Sequence, residues 1–237
     1  MRQNIVVFTG AGISKESGLS TFRDSDGLWA LYDPDIVATP QGFESDTKTA
    51  LEFYNEMRLA VATANPNHAH IALALLEEVH DVTIITQNID DLHERAGSSK
   101  VIHLHGDIRK VTSSKNRLDE NCIKNLNLTT PIKPGDRAAD GSQLRPYVVM
   151  FGEYLTKMSE STKLIKEADI FIVVGTSLRV FPANQLVNAA HHEIPRYLID
   201  PGDIEKLPKG YIHIQQPASK GIDTVIRCIN NLKLPQN

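Results

Sequence analysis

The strongest constraint on the fold is a series of short, unbroken apolar runs rich in β-branched residues, separated by stretches with helical spacing. The runs are Ile5–Phe8, Val82–Thr86, Val101–Leu104, Tyr147–Phe151, Ile170–Val174, Tyr197–Ile199 and Tyr211–Ile214. Ile-Val-Val-Phe and Ile-Phe-Ile-Val-Val do not alternate with polar residues, which predicts strands covered on both faces. Near the C-terminus Ile222, Val225, Ile226, Ile229 and Leu232 form one helical stripe. A second helix is expected after Pro66, with Ile71, Leu75 and Val79 on its buried face. Strands alternating with helices predict an α/β fold, a doubly wound parallel sheet.

Two stretches break the rhythm. Residues 31–78 read as helical with no strand between. Residues 107–145 are polar, contain Pro131, Pro134, Gly135 and Gly141, and carry eight Lys/Arg against five Asp/Glu, a charge of +3. A structureless loop of that length is uncommon in a compact domain, so both are assigned to a small inserted module. The 237 residues are thus expected to form one domain, with the sheet part at about 1–30, 79–106 and 146–237. With 25 Lys+Arg against 29 Asp+Glu the net charge is −4, so no whole-molecule basic field for nucleic acid is expected. No apolar run approaches the roughly 18 residues of a membrane span. Met1-Arg2-Gln3-Asn4 leads straight into a strand, so a cytoplasmic location is expected. Cys122 and Cys228 cannot build a disulfide framework or a four-cysteine zinc site.

Candidate chemistry gathers at the predicted strand ends, where open α/β sheets bind ligands. The first strand runs into Thr9-Gly10-Ala11-Gly12-Ile13-Ser14, a turn that suits the approach of a diphosphate to backbone N–H groups. Lys15 stands where the dinucleotide fingerprint needs its third glycine, so an ordinary dehydrogenase is disfavoured, and a tight turn with no ligand stays open. After the second strand, Gln87, Asn88, Asp90 and Asp91 could bond a ribose or carboxamide, or simply cap the next helix. His103 and His105 lie two apart and share a side of their strand. A metal pair is one reading. The better one makes His103 structural and His105, beside Gly106, a general base titrating near neutrality. Gly175-Thr176-Ser177 and Asp200 close two further strands with small or hydrogen-bonding residues.

Together these motifs resemble the sirtuin family. The match comprises Gly10-Ala11-Gly12-Ile13-Ser14, Ser17-Gly18, Thr21-Phe22-Arg23, Gln87-Asn88-Ile89-Asp90, His105-Gly106, Phe151-Gly152-Glu153 and Gly175-Thr176-Ser177, in the family's order along nearly the whole chain. The resemblance implies a Rossmann-like sheet and NAD-dependent removal of acyl groups from protein lysine, releasing nicotinamide and 2′-O-acyl-ADP-ribose. A protein ADP-ribosyltransferase or NAD glycohydrolase using the same site is the alternative. It further implies that Gly10, Ala11, Gly12, Ser14, Thr21, Phe22, Arg23 and Trp29 form the cofactor loop. Gln87, Asn88, Ile89 and Asp90 would hold the nicotinamide and its ribose, with Asn88 and Asp90 acting beside the base His105. Gly175, Thr176, Ser177, Asp200 and Ala218 would line the adenosine side. Val149, Phe151, Gly152 and Glu153 would pair with an acylated-lysine peptide as an added strand.

Two departures from the family stand out. Where zinc-containing members carry paired Cys-x-x-Cys motifs, this chain has Val111-Thr112-Ser113-Ser114-Lys115-Asn116 and Asp140-Gly141-Ser142-Gln143, so no metal is expected. Members that take succinyl or malonyl groups carry Tyr-x-x-Arg. Here Tyr54 is followed by Met57 in the arginine's place, and Arg58 comes one residue later. Tyr54 and Arg58, four apart, still share a helical face, so recognition of a succinyl group stays open. An offset of one residue, however, turns a helical side chain by about 100°. Tyr54, Met57 and Arg58 are therefore the expected acyl-pocket residues, with neutral chains favoured by the thioether.

Overall fold

The computed structural model describes residues 2–21, 24, 27–204 and 207–232. Six parallel strands form the main sheet: β1 (Asn4–Thr9), β2 (Asp81–Thr86), β3 (Val101–His103), β7 (Ile170–Val174), β8 (Arg196–Ile199) and β9 (Ile212–Ile214). Their order is β3-β2-β1-β7-β8-β9. Val6, Val7, Phe8 and all of Ile170–Val174 are buried, because helices cover both faces. The order reverses between β1 and β7, which opens a crevice above their C-terminal ends. This is the doubly wound Rossmann-like sheet expected from the sequence.

A second sheet of three antiparallel strands, β5-β4-β6, belongs to the small module. It comprises β4 (Gly106–Ser113), β5 (Lys124–Asn125) and β6 (Leu144–Val148). The predicted strand Tyr147–Phe151 is corrected here. The chain pairs earlier, with Val148 opposite Gly106 and Leu144 opposite Ser113, and Val149–Phe151 lies beyond the ladder. Ile108, Val111, Cys122, Ile132 and Leu144 give this module a core, shared with α1 (Pro34–Val37), α2 (Pro40–Ser45) and α3 (Thr47–Thr63). Asp33, Thr39 and Asp46 cap those helices through side-chain oxygens.

The helix after Pro66, α4 (His68–Leu76), starts on a capping box from Asn67 and His70. Its buried face is corrected: Ile71, Leu75 and Val79 are exposed, whereas Ala69, Ala72, Leu73 and Leu76 are buried. Two alanines let this helix lie close on the sheet beside α7 (Ala218–Leu232), and the bulkier stripe faces outward. It therefore packs in the sheet's core, not in the module to which 31–78 was assigned. Leu28 and Trp29 pack the other way, into the module's core. In α7, Ile222, Val225 and Ile229 are buried, and the side chain of Leu232 lies outside the described residues. No helix among the described residues is long and apolar enough to cross a membrane.

Candidate active site

The turn after β1 differs from expectation. Two single turns of 3-10 helix, Ala11–Ile13 and Lys15–Ser17, replace a regular helix. The glycines are needed because backbone meets backbone. Gly10 N–H donates to Val174 O at 3.0 Å and Gly12 N–H to Gly175 O at 2.8 Å. A Cβ on Gly12 would lie 2.8 Å from the Gly175 Cα, and one on Gly175, where φ is +64°, only 2.3 Å from Ile13 N. The motifs after β1 and β7 are thus two halves of one cradle. Gln87 Nε2 donates to Thr176 Oγ1 at 3.2 Å, which ties β2 to the same cradle.

Beneath it lies a buried polar cluster. Ser14 Oγ donates to Asp90 Oδ2 at 3.0 Å, while Asn88 Nδ2 donates to Ser14 Oγ at 3.1 Å and to Gly10 O at 3.3 Å. Leu92 N–H donates to the other oxygen of Asp90. Burial pushes the Asp90 carboxyl up from its ordinary value, against those hydrogen bonds. Among the described residues it has no ion pair, and Ser14 and Leu92 hold its two oxygens.

The backbone of Asn88 is held on both sides. Its N–H donates to Thr86 Oγ1 at 3.0 Å, and Thr86 accepts from Thr9, which in turn meets His93 Nε2. Its carbonyl meets His103 Nδ1 at 2.9 Å. The far nitrogen of His103 lies 3.0 Å from Glu94 Oε1, which also accepts from Arg109. Burial opposes charging of His103, but the bond and charge of Glu94 outweigh it and raise its pKa. Both ring nitrogens are therefore committed, and His103 is structural. Thr9, Thr86, His93, Glu94 and Arg109 were not read as site residues in the sequence. Only the position of Thr9 and Thr86 at neighbouring strand ends hinted at them.

His105 is placed differently. Its Nδ1 lies 2.7 Å from Gln87 O, a pure acceptor, so Nδ1 carries the hydrogen and Nε2 keeps its lone pair. Burial lowers its pKa, partly offset by that bond, so the imidazole is neutral and basic at neutral pH.

Other expected site residues sort as follows. Phe22 and Arg23 lie outside the described residues. Thr21 N–H donates to Asp24, which Lys15 also binds. Trp29 stacks edge-on against Phe53, 4.7 Å between centroids, within the module. Ile89 packs on the module's core, and its carbonyl accepts from Ile108 N–H. Ser177 precedes Leu178, whose φ of +57° is strained for a leucine and whose N–H donates to Thr176 Oγ1. Asp200 ends β8 with its Oδ1 accepting from Gly202 N–H. Ala218 is buried in the core of the main sheet.

On the substrate side one expectation is corrected, that of Arg58 in the acyl pocket. The Glu153 carboxylate is held within the protein. Arg145 grips both oxygens at 3.0 Å, and Met150 N–H and Arg117 share Oε2. Arg58 does not reach an acyl pocket. It is fully buried, and its guanidinium donates to Ile108 O, Leu126 O and Asn127 O inside the module. Tyr54 is buried against Phe53, and Met57 packs on the same core. Val149 N–H bonds His105 O, joining the segment to the base, and Phe151 is half exposed beside Gly152, where φ is +88°.

The expected zinc position does not fit a four-thiolate site. Ser113 Oγ donates to Asp140 Oδ2 at 2.6 Å and accepts from the N–H groups of Lys115 and Asn116. Ser142 Oγ donates to Asp140 Oδ1 at 2.7 Å. Those bonds hold the Asp140 pKa down at about 2. Ligand-type atoms of Asp119, Cys122 and Asp140 do lie within 4.8 Å of one another, but the Cys122 thiol is directed at Asp119. With about four ligands needed, purified protein should contain well under one zinc per chain and keep full activity in a chelator. Elemental analysis and a chelator titration check this; stoichiometric zinc would contradict it.

Sheets of this strand order bind nucleotides at the reversal, and an imidazole with one nitrogen fixed and the other keeping its lone pair is a group that enzymes use there. The chain belongs to the Sir2 family, whose sequence model matches residues 10–182. It is 45% identical over 227 residues to an NAD-dependent protein deacylase of Bacteroides thetaiotaomicron, covering 93% of this chain and 95% of that one. It is 48% identical over 203 residues to an NAD-dependent protein deacylase of Helicobacter pylori, covering 84% and 85%. Among solved structures, a Sir2 homologue in complex with NAD matches with a TM-score of 0.84 at 37% identity, covering 96% of this chain and 90% of that one. A Sir2 complex with a p53 peptide and NAD+ matches with a TM-score of 0.74 at 28% identity, covering 96% and 93%.

Proposed function

We infer that the crevice removes acyl groups from protein lysine, with NAD as acyl acceptor, giving nicotinamide and 2′-O-acyl-ADP-ribose. The observation that carries this reading is the fixed tautomer of His105, a neutral base at the mouth of a cradle built from the β1 and β7 turns. When bound, NAD supplies an electrophilic ribose carbon and the hydroxyls that receive the acyl group.

The roles of individual residues follow from their surroundings. Gly10, Ala11, Gly12 and Ser14, with Thr21, Phe22, Arg23 and Trp29, are assigned to the cofactor loop. Gly175, Thr176, Ser177, Asp200 and the backbone of Ala218 are assigned to the adenosine side. Asn88 and Asp90, with Gln87 and Ile89, orient the nicotinamide end, the Asn88 amide being held by Ser14 and Gly10 and the Asp90 carboxylate by Ser14. His105 takes a proton from a ribose hydroxyl through Nε2. Val149, Phe151 and Gly152 receive the acylated-lysine peptide, Glu153 serving as the internal brace of that segment. The protein is assigned to the cytoplasm, with no nucleic-acid or membrane partner.

The acyl pocket favours neutral chains. Tyr54 and Met57 offer a phenol and a thioether, and Arg58, one residue past the family's acid-binding position, is turned into the core. Acetyl-lysine peptide should therefore be hydrolysed with a kcat/KM at least equal to that for succinyl-lysine peptide. Measuring both on the native protein checks this. A strong succinyl preference would mean that another cation lines the pocket.

A further inference from the structure

We propose that Arg117 is a positioning residue through which the oxygen-bonded turn of the small module sets the peptide-pairing segment. This rests on the reading that Val149–Gly152 receives the peptide. Arg117 sits in the loop after β4, 37 positions before the residue whose carbonyl it binds. It is 8% exposed, and its placement is fixed from both sides.

On the module side, Ser113 Oγ gathers the N–H groups of Lys115 and Asn116, and Asp140 anchors Ser113. Thr112 Oγ1 donates to Arg117 O at 2.9 Å, so the backbone enters residue 117 in one geometry. On the segment side, Arg117 Nη2 donates to Tyr154 O at 2.9 Å, and Nε lies 3.3 Å from Glu153 Oε2. The guanidinium also lies over the Tyr147 ring, 5.7 Å from its centroid. Glu153 passes the constraint on by accepting from Met150 N–H at 2.8 Å, one residue from Phe151. Arg145 already engages both oxygens of Glu153. What Arg117 adds is the second attachment, at Tyr154 O, which fixes where the turn lies relative to the module. A buried guanidinium suits this because its fixed fork binds a carboxylate and a carbonyl together, which an ammonium on a flexible stem does not.

The test separates peptide from cofactor. With an acetyl-lysine peptide and NAD varied independently, Arg117→Ala should raise KM for the peptide about tenfold, the scale of a displaced binding group, with KM for NAD unchanged. Arg117→Lys should recover part of the loss, and Ser113→Ala should raise peptide KM in the same sense through the turn. Phe151→Ala, which keeps the clamp, is the control for the underlying reading. Unchanged peptide KM in Arg117→Ala, with a raised one in Phe151→Ala, would overturn the role of Arg117 and leave the peptide segment standing. Unchanged KM in both would overturn the two together. Equal increases in both KM values for Arg117→Ala and Arg117→Lys would mean general loosening, and would also overturn the proposal.

Discussion

Replacing His105 by alanine is expected to lower deacylation by about 10²-fold or more, the usual scale for a positioned acid–base group. NAD binding should survive, because the cradle is closed by Gly10, Gly12 and Gly175 and by the Gln87 side chain on Thr176, whereas His105 meets Gln87 at its backbone carbonyl. The pH dependence carries the same assignment. Burial lowers the His105 pKa below 6.5, so the base is already deprotonated at neutral pH. Native kcat/KM should rise through an apparent pKa below that value and stay level through neutrality. Steady-state rates across pH, native against His105→Ala, check both statements. Near-normal turnover in the variant would remove His105 from the chemistry.

The second large effect is on stability. Arg58 is fully buried with no carboxylate partner among the described residues, and three carbonyls solvate its charge. Burial pulls its pKa down, though a guanidinium stays protonated. Arg58→Met would remove this donor from Ile108 O and Leu126 O, while Asn127 O keeps Thr130 N–H, at a cost of about 1–3 kcal/mol for each carbonyl left unpaired where water cannot reach. The variant should therefore lose about 3 kcal/mol or more in urea unfolding. The ratio of kcat/KM for acetyl- and succinyl-lysine peptides should not move in whatever folded fraction remains. A stable variant with an altered acyl preference would return Arg58 to the pocket.

Arg58 also shows where reading the sequence stops. Helical spacing put it within reach of Tyr54, but spacing cannot tell a charged residue on a pocket wall from one buried among carbonyls of β4 and the loop after β5. Those carbonyls are 50 and more positions away in the chain. The same limit misplaced α4, which is apolar on more than one side. Ala69, Ala72, Leu73 and Leu76 face the sheet while Ile71, Leu75 and Val79 face out, and both stripes are apolar enough to be buried. Strand β6 was shifted because its apolar run continues past the last ladder residue, and nothing local marks where pairing with β4 ends.

What was legible lay at strand ends. Gly10 and Gly12, Gln87 to Asp90, His105 and Gly175 to Ser177 are contiguous in sequence, and parallel pairing brings their ends together. Their supports were not legible, since Thr9, Thr86 and His93 meet only in three dimensions. The glycines were seen for a reason that needs amending. They permit the close approach of the β1 turn to the β7 turn as directly as any approach of a ligand.

The most direct measurement of the account is the identity of the products. With NAD and an acetyl-lysine peptide, deacetylated peptide, nicotinamide and 2′-O-acetyl-ADP-ribose should form in equal amounts when resolved by mass spectrometry. Free ADP-ribose with the peptide still acetylated, or peptide carrying ADP-ribose, would contradict it and show that the site cleaves NAD without accepting the acyl group.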